Sequence, residues 1–113
     1  MEFHPVCKFS DIGLGEAKPA VVEGHSVAIF NVRGKLYAIE NICPHMAAPL
    51  DDGSLNGTKI TCRLHFWEID VTNGQCIEPA NGHCVATFPV KVERGVIKVG
   101  IETPKAAQVS EEG

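Results

Sequence analysis

Cys43-Pro44-His45, followed 16 residues later by Cys62-Arg63-Leu64-His65, decides how this chain is read. The first segment is C-x-H and the second is C-x-x-H, so each supplies one thiolate and one imidazole. Together Cys43, His45, Cys62 and His65 offer two sulfur and two nitrogen donors from two separate loops. Two chemistries accept such a set. A tetrahedral structural zinc site is one, although those sites usually begin with paired cysteines two to four residues apart, and a C-x-H start is unusual for them. The other is a two-iron, two-sulfide centre in which two Cys hold one iron and two His hold the second. Exchanging two anionic ligands for neutral ones raises its potential above that of an all-Cys cluster. Read that way, the motif pair marks an electron carrier.

The rest of the composition narrows the class. At 113 residues the chain has the size of one domain. With 44% hydrophobic and 21% charged residues it reads as a soluble globule. No apolar run approaches the roughly 20 residues needed to cross a bilayer. Met1-Glu2-Phe3-His4-Pro5 lacks the basic and apolar regions of a signal peptide, so a cytoplasmic location and no membrane partner are expected. A formal charge of -4 argues against a nucleic-acid partner, because phosphate binding needs clustered Lys and Arg. Of the five cysteines, Cys7, Cys76 and Cys84 remain outside the motifs. They are expected to be small buried hydrophobes, with a Cys76–Cys84 disulfide as the alternative.

Short strands separated by turns dominate the pattern. Ser26 to Val32 and Lys35 to Asn41 are β-rich runs flanking Arg33-Gly34, which suits a tight hairpin. Near the end, Val90 and Val92 alternate with charged residues, Arg94-Gly95 turns the chain, and Ile97, Val99 and Ile101 alternate again. No long stretch has a helical period, and seven Pro with eleven Gly punctuate the chain too often for long helices. The expected class is all-β. Thr58 to Thr61 and Phe66 to Val71 read as strands on either side of the second motif, which then lies at a hairpin tip facing the first. The expected organisation is an antiparallel β-sandwich base over residues 1–103, with a smaller metal-binding lobe inserted at about 41–82. Residues 104–113 are expected to form a flexible tail.

These features together resemble a Rieske-type [2Fe-2S] ferredoxin, the electron-transfer component of bacterial multicomponent aromatic-ring oxygenases. The resemblance spans an opening strand near Val6-Cys7-Lys8, the Cys43-Pro44-His45 loop, the Cys62-Arg63-Leu64-His65-Phe66-Trp67 loop and the closing Pro89-Val90-Lys91-Val92-Glu93 hairpin. It implies the Rieske fold and one [2Fe-2S] cluster, with Cys43 and Cys62 on the inner iron and His45 and His65 on the outer one. It implies transient partners as well: an NAD(P)H-dependent ferredoxin reductase and a terminal oxygenase, either an aromatic-ring dioxygenase or a diiron monooxygenase. The chain itself is then a monomer and not an enzyme. Two alternatives stay open: a small Rieske-like subunit of an assimilatory nitrite reductase, and a zinc-stapled interaction module.

Departures from the family pattern carry their own expectations. Rieske subunits of respiratory and photosynthetic complexes join their cluster loops by a disulfide, but Ala48 and Leu64 occupy those positions here. The same proteins place a Ser and a Tyr two and four residues after the last His ligand, whose hydroxyls donate to sulfur; here stand Trp67 and Ile69. Fewer donors leave the reduced cluster less stabilised, which predicts a potential near the lower end of the Rieske range, on the order of -150 mV. Solvent-facing His45 and His65 would make that potential fall in alkaline solution. Trp67 reads first as a core residue, and Pro79 either as a stiffener of a third loop over the cluster or as part of a simple turn. Met46, Pro49 and Leu50 extend the first ligand loop, where an apolar collar would suit both shielding and weak docking. His4, His25 and His83 are expected at surface or turn positions, and Arg63 in solvent.

Overall fold

The computed structural model describes residues 2–43, 49–63, 67–78 and 84–101. Its elements are β1 (Glu2–Lys8), a single 3-10 turn (Phe9–Asp11), β2 (Ala17–Val22), β3 (His25–Val32), β4 (Lys35–Glu40), β5 (Ser54–Asn56), β6 (Lys59–Thr61), β7 (Glu68–Asp70), β8 (Cys76–Glu78), β9 (Thr87–Phe88), β10 (Val90–Glu93) and β11 (Val96–Ile101). They form three antiparallel sheets, ordered β1-β11-β10, β2-β3-β4-β9 and β5-β6-β7-β8. The all-β expectation holds throughout the described residues.

Three hairpins turn on the same device. Glu23-Gly24, Arg33-Gly34 and Arg94-Gly95 each have positive φ at both positions (49° and 81°, 56° and 92°, 52° and 77°). Positive φ at both central residues is the backbone of a type I′ turn, whose twist matches that of the flanking strands. Two of these turns are the ones expected from sequence. The third, at Glu23-Gly24, joins β2 to β3 in a hairpin that the sequence reading did not identify.

The second sheet is a wall shared by two cores, and the run Val27-Ala28-Ile29-Phe30 shows why. Side chains of a strand point alternately to opposite faces, yet all four of these are fully buried. Val27 and Ile29 join Ile97, Val99 and Ile101 in one core, beneath the β1-β11-β10 sheet. Ala28, Phe30 and Val32 join Ile39, Leu50, Ile60, Ile69 and Val71 in the other, beneath the β5–β8 sheet. A strand covered on both faces reads as a continuous apolar run instead of an alternating one. The closing hairpin is less symmetric than expected. Ile97, Val99 and Ile101 are buried, whereas Val92 on the edge strand β10 is 44% exposed.

The β5–β8 sheet lies between β4 and β9 in sequence, on the side of the wall away from β1. The expected tail, residues 104–113, and Pro79 lie outside the described residues.

Candidate metal centre

Cys43 and Cys62 reach the same place from opposite directions. Cys43 follows the end of β4 by three residues and Cys62 directly follows β6. Both are buried, at 1% and 0% exposure, and both belong to the core cluster that Phe30, Ile39, Leu50 and Ile60 build on the shared wall. His45 and His65, together with Met46 and His83, lie outside the described residues.

Backbone and side-chain bonds fix the loop ends that carry these cysteines. Past β4, Asn41 is buried and its Oδ1 accepts hydrogen bonds from the Leu50 N–H (2.7 Å) and the Asp51 N–H (2.9 Å). Its Nδ2 donates to Asp51 Oδ1 at 2.7 Å. The second loop is closed where the Cys62 N–H donates to the Trp67 carbonyl at 2.8 Å, directly before β7. Gly53 fits the first loop's return against β6, because a Cβ there would overlap the Thr61 carbonyl oxygen. Beyond it, Arg63 and Asp52, both largely exposed, approach to 3.8 Å and bring the two loops together at the surface. Such an exposed pair contributes at most about 1 kcal/mol.

A third segment borders the same core. Gly74 has φ +76°, and its carbonyl accepts from the Val85 N–H at 2.9 Å. A side chain there would overlap the Val85 carbonyl oxygen. Glu40 ties the following residue to the wall: its N–H donates to the Ala86 carbonyl, and its Oε1 accepts from the Ala86 N–H, both at 2.9 Å. Val85 is buried in the core that holds both cysteines.

Several single-residue expectations meet the structure here. Trp67 is half-buried and packs against this core, as a packing residue should. Of the apolar residues after the first motif, Leu50 is fully buried in this core, where it shields, and Pro49 is exposed. His25 is exposed beside the Glu23-Gly24 turn, with its ring edge-on to Phe88 at 5.8 Å. His4 is half-buried within β1, between Glu2 (3.9 Å) and Glu23 (3.7 Å). Cys76 is buried, Cys7 half-buried and Cys84 exposed, and no disulfide joins any of them. Cys84 therefore departs from the expected buried role, because it lies at the surface just before Val85 turns inward. Burial pushes the Cys76 thiol above its ordinary value, and the neighbouring Cys43 and Cys84 add to the effect. The roles of Asn41, Gly53 and Gly74 were not read from sequence. The only signal for Asn41 was a polar residue at the end of an apolar strand, just ahead of a ligand motif.

The donor set suits an iron–sulfur centre. Two thiolates in an apolar core are costly unless a cation shares the site, and a cluster supplies that positive charge at the sulfurs themselves. Among the described residues no helix is long and apolar enough to cross a membrane.

Known proteins agree with this reading. The sequence matches the family described as Rieske [2Fe-2S] domain over residues 2–89. It is 36% identical over 103 residues to the ferredoxin component of the alkene monooxygenase system of Xanthobacter autotrophicus, covering 90% of this chain and 84% of that protein. With the ferredoxin component of the naphthalene 1,2-dioxygenase system of Pseudomonas putida it shares 38% identity over 84 residues, covering 74% of this chain and 81% of that one. Among solved structures, the ferredoxin in a complex of reduced oxygenase and oxidized ferredoxin of carbazole 1,9a-dioxygenase superposes with a TM-score of 0.80. That match has 28% identity and covers 86% of this chain and 91% of the other. By its sequence and its three-sheet architecture, this chain belongs to the Rieske [2Fe-2S] domain family.

Proposed function

We propose that this protein is a ferredoxin that accepts single electrons from an NAD(P)H-dependent ferredoxin reductase and passes them to a terminal oxygenase. Its relatives are electron-transfer components of monooxygenase and dioxygenase systems, and it is not itself a catalyst. The cofactor is one Rieske [2Fe-2S] cluster, which supplies a one-electron couple when bound. We assign its ligands to Cys43, His45, Cys62 and His65. The observation that carries the assignment is the burial of Cys43 and Cys62, from different loops, in one core.

Each part of the chain then has a task. Cys43 and Cys62 hold the anionic half of the ligand set where Leu50, Ile60, Ile69 and Val85 exclude water. Ile42, beside Cys43 and 41% exposed, borders this half on the surface, as does the exposed Arg63. Electron-transfer encounters are small and short-lived, burying below roughly 1,200 Å² in total, so a monomer with a modest contact area suits the role. A cytoplasmic setting, with the thiols kept reduced, belongs to the same proposal.

The test is reconstitution. The holoprotein, mixed with a ferredoxin reductase of an oxygenase system and NADH, is reduced by one electron per cluster. Adding the matching terminal oxygenase and its substrate under air then reoxidises it with formation of hydroxylated product. A protein that stays oxidised with every such reductase, or that stays reduced beside every oxygenase, contradicts the proposal.

A further inference from the structure

The geometry points to Asn41 as a positioning residue for the first ligand loop, one whose amide shuts the base of that loop so that Cys43 is presented to the cluster. The inference rests on Cys43 being an iron ligand.

Among the described residues only two polar side chains are buried, Asn31 and Asn41. Asn41 stands two residues before Cys43 at the point where the chain leaves the wall, and its N–H donates to the Ser26 carbonyl at 3.0 Å. Its side chain bonds to the point where the chain returns, at Leu50 and Asp51. Three bonds to one amide thus fix both ends of the segment that contains Cys43. A loop held at its base has less conformational freedom to lose when its ligands are ordered around a metal, which is how preorganisation strengthens binding.

The chemistry of the site selects an amide. One oxygen accepts from two adjacent backbone N–H groups while the nitrogen donates to the Asp51 carboxylate, so three of the four bonds available to the amide are made. Alanine would leave the buried Leu50 N–H without its acceptor. Aspartate would keep the acceptor but set a second carboxylate against Asp51, in place of the 2.7 Å donor. Exchanging the two residues, with Asn41→Asp and Asp51→Asn together, would restore one donor and one carboxylate with the roles reversed. Asn31 gives the comparison. Its amide is equally buried and bridges the Ile12 carbonyl (2.9 Å) and the Gly34 N–H (2.8 Å), but it touches no segment that carries a ligand.

The experiment uses the holoprotein and five variants: Asn41→Ala, Asn41→Asp, the Asn41→Asp/Asp51→Asn exchange, Asn31→Ala and Cys43→Ser. Loss of cluster absorbance to an iron chelator is followed well below the unfolding temperature, and the reduced proteins are examined by electron paramagnetic resonance. Asn41→Ala, which leaves a buried donor unpaired, and Asn41→Asp, which sets two carboxylates against each other, should each release iron about tenfold faster than the parent. Their resonance lines should broaden as the ligand loop samples several arrangements. The exchange should return the release rate to within about threefold of the parent. Asn31→Ala should lower thermal stability while leaving release and line width unchanged.

Release and line shape in Asn41→Ala equal to the parent's, or equal to those of Asn31→Ala, would overturn the assignment. Should Asn41→Ala fail to fold, an exchange variant no better than Asn41→Asp would overturn it as well. Cys43→Ser separates the two levels of the claim. If it keeps the parent's spectrum, the ligand assignment itself fails; if it loses the spectrum while the Asn41 variants stay normal, only the positioning role fails.

Discussion

Gly53 and Gly74 show how single residues set the geometry around the cysteines. At Gly53 a Cβ would overlap the Thr61 carbonyl, and at Gly74 it would overlap the Val85 carbonyl on a backbone that already has φ +76°. Gly34, in a hairpin turn at φ +92°, has open space around it. Gly53→Ala and Gly74→Ala should therefore each cost about 3 kcal/mol, near the upper end of overpacking penalties, while Gly34→Ala should cost about 1 kcal/mol from backbone conformation alone. Denaturant titration of the three variants checks the order, and equal losses would contradict it. Sequence made the candidate ligand motifs stand out because four metal-binding side chain types at such spacing are rare by chance. It could not reveal Asn41 or Gly53, whose roles depend on contacts with residues that are distant until the loops fold. Which of Pro49 and Leu50 faces solvent was not legible for a related reason: apolar residues beside a ligand loop look the same in sequence whether they face solvent or the core.

Among the elements, β3 carries the most weight. Its residues feed both cores, so Phe30→Ala should destabilise the protein by about 4 kcal/mol and should also speed cluster loss, because Phe30 shares a core with Cys43 and Cys62. Ile97→Ala, in the other core, should destabilise comparably with less effect on cluster retention. The Ser26 to Val32 run was legible as a strand, but its burial on both faces was not, since periodicity alone cannot say what covers a continuous apolar run. β2 escaped notice because Lys18 and Pro19 break its alternation. On the outer face of the closing hairpin, Glu93 accepts a hydrogen bond from Lys98 at 2.8 Å and sits 3.4 Å from Lys91. The hydrogen bond from Lys98, aided by the charge of Lys91, holds the Glu93 carboxyl below its ordinary value of 4.5. A depressed carboxyl stabilises the fold above its unfolded value, and that contribution is lost as pH falls through the lower folded value. Nuclear magnetic resonance titration should place the Glu93 midpoint below 4.5, and Lys98→Met should raise it; an unmoved midpoint would contradict the pairing. Cys7 behaves in the opposite sense. Burial, with Asp11 nearby, raises its thiol above the ordinary 9.0, so stability is unaffected below that pH and is lost as the pH rises from there through the raised folded value.

In the whole molecule, one wall closes both the core that holds Cys43 and Cys62 and a second core built on Ile97, Val99 and Ile101. Removing iron should expose two thiols within the core shared by Phe30, Leu50 and Ile69 while leaving the other core intact. The midpoint of thermal unfolding should fall by at least about 10 °C on chelation, because metal binding energy is coupled to folding. A midpoint indifferent to chelation would contradict the placement of the cluster within that core. Ile69 is fully buried and Trp67 is half-buried against the same core, and neither carries a hydroxyl for sulfur. A potential on the order of -150 mV is expected, and a value well above zero would contradict it.

In the proposed centre, Cys43 and Cys62 share one bridged pair of irons with two imidazoles. Pulsed electron paramagnetic resonance of the dithionite-reduced protein, with iron and acid-labile sulfide measured on the same sample, tests it most directly. Two irons and two sulfides per chain are expected, with nitrogen couplings that disappear from the spectrum when His45 and His65 are replaced by alanine. A single zinc without sulfide, or a reduced cluster showing no coupled nitrogen, would contradict it.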